Sequence, residues 1–316
     1  MLAQTVQRDI TGTVNLEDAT AVADACIELL SGRYGEDAIH TSLIRDAFEH
    51  VRGAFWGEHP DWLPCDTPYH DLRHSLDTAL VVARMADGFE IAHNVGAGPA
   101  LGPEESTIAV ILALMHDTGF LRERTLGAIN GASLMRDHEA RSVRFAHAYL
   151  SRSALAECAD QAALIQSTNF SHSAHSAADG LPTQYIAIAR LIGTADLLAQ
   201  LADRCYLEKC YHFLYEEIAA AGLDRLCDTS GRVVKMLYSS PDDLLRKTPE
   251  FYEQVVTPRL EEDFAHAYRY LELHFRGSDP YMAAVQHNIA HLRRLIKRND
   301  LSSLRRRPRA LMPRPN

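Results

Sequence analysis

Two histidines one helical turn apart, His70 and His74, are followed by the adjacent pair His116-Asp117 and, much later, by Asp196 inside an apolar segment. Imidazoles and carboxylates are what a divalent cation with nitrogen and oxygen preferences takes as ligands. Thr67 suits an N-cap and Pro68 a first helical residue, so a helix is expected to open there with His70 in its first turn. The i, i+4 spacing then puts His70 and His74 on one face, with Asp77 three residues further on and placed to orient a histidine. At the second motif the apolar run from Ile108 to Met115 buries its helix, and Gly119 fits just past the helix end. A buried imidazole beside a buried carboxylate is costly unless the two are paired or share a cation. One i, i+4 histidine pair, or one His-Asp dipeptide, is more often an ordinary surface or core feature. The ordered set, with Asp77, the apolar helix before His116 and the segment Thr194-Ala195-Asp196-Leu197, favours a metal site.

That set resembles the HD superfamily of metal-dependent phosphohydrolases, and within it the catalytic domain of class I cyclic-nucleotide phosphodiesterases, over roughly residues 67–264. Tyr69-His70-Asp71-Leu72-Arg73-His74-Ser75-Leu76-Asp77 is similar to the family's Tyr-His-Asn-x-x-His-Ala-x-Asp. The resemblance implies His74, His116, Asp117 and Asp196 as ligands, with Asp117 bridging two divalent ions (Zn, Mn, Mg or Fe) and His70 as the general acid at the leaving oxygen. Arg136-Asp137-His138-Glu139 resembles a Glu-Asn-His-His segment, which implies His138 on the second metal or on its water. The segment 165–171 resembles Ala-Thr-Asp-Met-Ser, with Asn169 replacing an aspartate near the ligands. His172 and His175 follow at once and read either as ligands or as solvated side chains in a Ser/Ala-rich loop. Aligning Val255-Val256-Thr257-Pro258 with the family's Pro-containing turn places Phe251 on the phenylalanine that clamps the base and Thr248 where the family has glutamine. Thr248-Pro249-Glu250 reads equally as an ordinary helix start. The second histidine of the family's His-Asp-x-x-His-Pro-Gly is also missing from His116-Asp117-Thr118-Gly119-Phe120-Leu121-Arg122.

By this resemblance the expected reaction is hydrolysis of a phosphodiester of a (cyclic) nucleotide through a metal-bridging hydroxide. The missing glutamine favours, as an alternative, a phosphomonoesterase or pyrophosphohydrolase on another nucleotide. An HD-type di-iron oxygenase is the rival from another class, for which His138 with His172 or His175 would supply the extra ligands. A nucleotide-binding sensor without turnover is a third reading. One tension is that a helix N-terminus disfavours a protonated His70, so a carboxylate, with Asp71 a candidate, must offset it.

With 316 residues, 47% hydrophobic and 23% charged, the chain reads as one globular, all-α protein, by resemblance a compact HD/phosphodiesterase-like bundle. Helical periodicity is expected over 15–30, 37–51, 67–85, 103–116, 135–150, 154–166, 185–220, 241–245, 249–275 and 281–297, with no strands. The expected organisation is an N-terminal helical extension over 1–60 packed on the core, an HD-type catalytic domain over 61–300, and a basic, disordered tail over 301–316 that contains Arg305-Arg306-Arg307-Pro308-Arg309. The aromatic stretch 206–215 suits core packing, with a pocket wall or a subunit contact in a homodimer as alternatives. No apolar run approaches the roughly 20 residues that span a bilayer. The start lacks a secretory pattern, and six cysteines contain no Cys-x-x-Cys, which suits reduced thiols in a cytoplasmic protein. A net charge of −10 argues against a nucleic-acid polymer, while bound cations would still allow a small anionic, nucleotide-like substrate.

Overall fold

Asp18 accepts hydrogen bonds from the N–H groups of Thr20 and Ala21 and so starts α1 (Ala19–Tyr34), which runs through Gly32 to end at Gly35. The chain continues through α2 (Thr41–Trp56), α3 (Leu72–Asn94), α4 (Pro103–Met115), α5 (His138–Leu150), a long 3-10 segment (Ala156–Thr168) and the single turn α6 (Ala174–Ala177). Then come α7 (Tyr185–Leu201), α8 (Tyr206–Lys209), α9 (Tyr215–Ala220), α10 (Pro241–Phe251), α11 (Arg269–His274) and α12 (Pro280–Arg298). The computed structural model describes residues 7–182 and 184–313; the outermost parts of the expected extension and tail, 1–6 and 314–316, lie outside it. The fold is mostly α.

Helices α3 and α4 form its axis. Every side chain of α4 from Ser106 to Met115 is buried, and α3 is buried on nearly all faces because α1, α4, α7 and α11 surround it. A helix hydrophobic all round has no solvent face to offer, and each large aliphatic side chain so buried contributes about 1.5–3 kcal/mol. The N-terminal residues are tied to α3 by a buried Asp9–Arg84 ion pair of 2.7 Å, and Arg84 also donates to the Tyr281 hydroxyl at 2.5 Å.

Several elements differ from the periodicity. α3 begins at Leu72 with Asp71 as its N-cap, and not at Thr67, because the Asp71 carboxylate accepts from the His74 N–H at 3.1 Å. His70 therefore lies just outside the helix. The single helix expected over 185–220 is broken by an 89° bend after Leu201. There the Asn288 amide donates to the carbonyls of Leu201 and Asp203, and the Asp203 side chain accepts from the Cys205 N–H, so the freed backbone groups are satisfied. A π-turn (Cys210–Leu214) joins α8 to α9, and two more (Tyr252–Val256, Arg259–Asp263) replace much of the helix expected over 249–275. Ala265 and His266, with φ of 48° and 57°, end that stretch. A two-stranded antiparallel hairpin, β1 (Arg225–Cys227) with β2 (Val233–Met236), was not signalled by the sequence; it is short and largely exposed, so it lacks the in-out alternation that marks a strand.

The tail is also not as expected. Leu301 is buried, Leu304 and Leu311 pack on the core, the Arg306 guanidinium donates to the Arg204 carbonyl at 2.5 Å, and the Leu311 N–H donates to the second Asp71 oxygen at 2.5 Å. Its leucines give it apolar anchors that the charge run conceals. Among the described residues no single helix is long and apolar enough to cross a membrane.

Candidate metal centre

Two helix ends and the body of a third helix meet on one point. His74 sits in the first turn of α3, His116 and Asp117 follow the last turn of α4, and Asp196 lies in the second half of α7. His74 Nε2 is 3.0 Å from Asp196 Oδ1 and 3.2 Å from His116 Nε2, while His116 Nε2 is 3.5 Å from Asp196 Oδ1. Asp117 Oδ2 stands 3.2 Å from His116 Nε2 and 3.5 Å from His74 Nε2. Nitrogen and oxygen ligands about 2.1 Å from one ion stand roughly 3.0–3.4 Å from each other, so the spacing is that of atoms sharing a cation. His116 Nδ1 donates to the Ala113 carbonyl at 2.7 Å, which leaves its Nε2 lone pair facing His74. Asp117 Oδ2 is buried and accepts no hydrogen bond among the described residues. An orphaned carboxylate oxygen against two imidazole nitrogens fits a cation, and His74, His116 and Asp196 form the tightest trio.

Without a cation the cluster holds protons. Burial opposes a charged His116, but Asp117 and Asp196 outweigh it and keep its pKa well above the imidazole range. Burial likewise opposes both carboxylates, and the histidines nonetheless hold Asp117 and Asp196 below the ordinary carboxylate value. A cation must displace those protons, so its affinity rises with pH.

His138, at the start of α5, donates from Nδ1 to the Met135 carbonyl at 2.7 Å and turns Nε2 towards Asp117 Oδ1, 3.6 Å away. The buried Glu139 lies beside it, its pKa raised by burial, and Asn169 hydrogen-bonds that carboxyl. His138 Nε2 thus faces the second oxygen of Asp117, while Glu139 lies on the Nδ1 side of the ring. Gly119 permits this approach: a Cβ there would lie 1.8 Å from the His138 carbonyl oxygen. Its role is close packing within a 3-10 turn and not a left-handed helix end. Gly119→Ala is expected to push α5 away, cost about 1–3 kcal/mol or more and weaken metal binding, as read by thermal unfolding and metal titration; wild-type behaviour in both would refute the packing argument.

His70 is held from two sides. Its Nδ1 meets Glu217 Oε2 at 2.6 Å, while Glu217 Oε1 accepts from the Tyr69 N–H at 2.6 Å. Its ring stacks on Phe120 at 4.3 Å, and Phe120 stacks on His138 at 4.4 Å. Burial opposes its charge, but Glu217 raises its pKa above the ordinary imidazole value. Glu217, not Asp71, is the carboxylate that offsets the helix end; Asp71 is occupied by the His74 and Leu311 N–H groups. The sequence carried no signal for Glu217, which is 147 positions away and arrives through the bend and the π-turn.

Asp117, Asp196, His70 and His138 open onto a cavity of about 530 Å³. Phe251 lines it and forms an edge-on pair with Phe170 at 5.6 Å. Thr248 also lines it, but inside α10 and not at a helix start, because Ser240 is the cap and the Thr248 hydroxyl donates back to the Leu244 carbonyl at 2.9 Å. His172 and His175 do not join the site: both are exposed, with His175 beside Arg190, and neither lines the cavity. Their segment packs inward through Ala174, Ala177 and Ala178 and leaves the two histidines facing solvent.

Asp77 is half-buried and touches no histidine by hydrogen bond. It shares a cavity of about 10 Å³ with His74, Arg73, Asp203 and Lys209, and its Oδ1 has no partner. Burial pushes its pKa up to about 7, with Arg73 pulling down and Asp203 pushing up. A raised folded-state pKa means that its charge costs stability as pH climbs from about 4 to about 7. Asp77→Asn is therefore expected to gain stability relative to wild type across that window, and denaturant melts at pH 4.5 and 8 would expose the error if the difference did not grow.

A sequence profile of the Npun_R2479-like family matches residues 125–294, more than half of the chain. The match takes in His138, Asp196 and Glu217 and begins after the His70/His74 and His116-Asp117 motifs. No curated protein matches the chain.

Proposed function

The chain belongs to the Npun_R2479-like family, and we propose that it is a metal-dependent phosphohydrolase, in keeping with the resemblance of its motifs to the HD superfamily. The observation that carries this reading is the convergence of His74, His116, Asp117 and Asp196 at one end of a cavity whose wall also holds the His70–Glu217 pair. His74, His116 and Asp196 would hold one divalent ion with Asp117, and His138 with the second Asp117 oxygen would hold a second ion or its water. A cation there would supply Lewis-acid stabilisation of phosphoryl charge and a more acidic water.

The protein's own groups account for the rest. Arg136 at the lining favours an anionic ester. Glu217 keeps a proton on His70 Nδ1 and favours the doubly protonated ring, so that Nε2–H can donate. A water oxygen bonds to phosphorus, the ester P–O bond breaks, and His70 passes its Nε2 proton to the departing oxygen; the proton lost by the water goes to solvent, from which His70 is recharged. Of the oxygenase's extra ligands, His172 and His175 lie outside the site, which favours the hydrolase.

The test is removal of metal with a chelator, restoration with Mn, Zn, Mg or Fe in turn, and assay of bis(p-nitrophenyl) phosphate and p-nitrophenyl phosphate. Metal-restored cleavage is expected. Cleavage of neither ester with any metal, together with tightly held iron and oxygen consumption, would replace the hydrolase with the oxygenase.

A further inference from the structure

Beyond the metal cluster, one side of the cavity is walled by Leu197, Leu201, Leu214, Ile218, Leu244 and Val256. Four polar side chains beside them, Gln200, Thr248, Tyr206 and Lys247, are already occupied. The Gln200 amide donates to Asp196 at 2.6 Å, and its oxygen accepts from the Tyr69 hydroxyl at 3.0 Å. The Thr248 hydroxyl is turned into its own helix, and Tyr206 is hydrogen-bonded to Cys210. Lys247 is held by the Leu237 carbonyl and by Asp243. A purine placed there would lose water from its ring nitrogens and exocyclic groups and find no free amide to replace it, because the Gln200 and Asn169 amides are both engaged.

Resting on the hydrolase reading, we propose that the substrate is a phosphoester whose organic part is hydrocarbon, alkyl or aryl, seated in this apolar lobe with its phosphate at the metal cluster. The volume of about 530 Å³ falls in the range of small-ligand pockets and suits a phosphate carrying a ring or a medium chain. The Phe170–Phe251 pair closes the lobe with an aromatic face, as an apolar occupant requires.

The experiment compares methyl, butyl and octyl phosphate by calorimetry on the manganese-loaded protein with adenosine 5′-phosphate and cyclic AMP, and follows hydrolysis of the matching p-nitrophenyl alkyl phosphates. Affinity is expected to rise about threefold to fourfold per methylene until the lobe is full, and Ile218→Asn should flatten that rise. Leu214→Asn, also half-buried, serves if the first variant does not fold. Equal affinity for methyl and octyl phosphate, or tighter binding of either nucleotide than of octyl phosphate, would overturn the inference. Flat binding with ester turnover would sink the apolar lobe and keep the hydrolase. Rising affinity without turnover of any ester would keep the lobe as an apolar-anion site and sink the hydrolase.

Discussion

Asp196→Ala should abolish both metal-dependent stabilisation and hydrolysis. Asp196 Oδ1 lies against His74, His116 and the Gln200 amide, so one oxygen anchors the trio and is itself fixed through Gln200 and Tyr69. Removing even an outer partner of a metal ligand typically costs about 10–100-fold in affinity; removing the ligand should exceed that. At a hundredfold excess over Kd a bound metal adds about 2.7 kcal/mol to stability, so the wild type should melt several degrees higher on loading while Asp196→Ala shows no rise. His172→Ala should behave as wild type, because that side chain is exposed and outside the cavity. A metal-induced rise retained in Asp196→Ala would place the ion elsewhere.

The second large effect concerns the proton. His70→Asn should lower kcat by about 10²–10⁴-fold on an alkyl ester, the usual contribution of a positioned acid, and much less on a p-nitrophenyl ester, whose leaving group needs no proton. Glu217→Gln has a different signature because Glu217 acts through His70. Activity needs His70 protonated and so falls as pH rises through its pKa, which Glu217 raises. The variant should therefore lose activity at lower pH than wild type. The same sign applies to stability: the pair contributes fully below the ordinary imidazole pKa and fades as pH rises through the folded-state value. A lower kcat with an unmoved alkaline limb would make Glu217 a purely structural support for the Tyr69 N–H.

The cluster of His74, His116, Asp117 and Asp196 was legible because each lies in a local pattern: His74 in a helix start, His116-Asp117 after an apolar helix, Asp196 within another. His138 was legible from its resemblance to a known segment and is indeed brought to the second oxygen of Asp117. What no local pattern encodes is the bend at Leu201 and the π-turn after Lys209, since periodicity continues through both. Glu217 was consequently unseen, as was Gln200, whose role depends on an Asp196 oxygen one helical turn away. Asp77 shows the opposite error. Its i+3 spacing suggested a partner for a histidine, yet it is grouped with Arg73 from its own helix and with Asp203 and Lys209, charges contributed by the bend and the helix after it. His172 and His175 show that a histidine on the solvent side of an otherwise buried turn does not reach the site.

Whether these side chains share a cation is tested most directly by anomalous diffraction from crystals soaked in zinc or manganese. A peak is expected within bonding distance, about 2.0–2.2 Å, of His74 Nε2, His116 Nε2 and Asp196 Oδ1. A saturating soak that leaves the three without a peak, or places the ion at other residues, would contradict a shared cation.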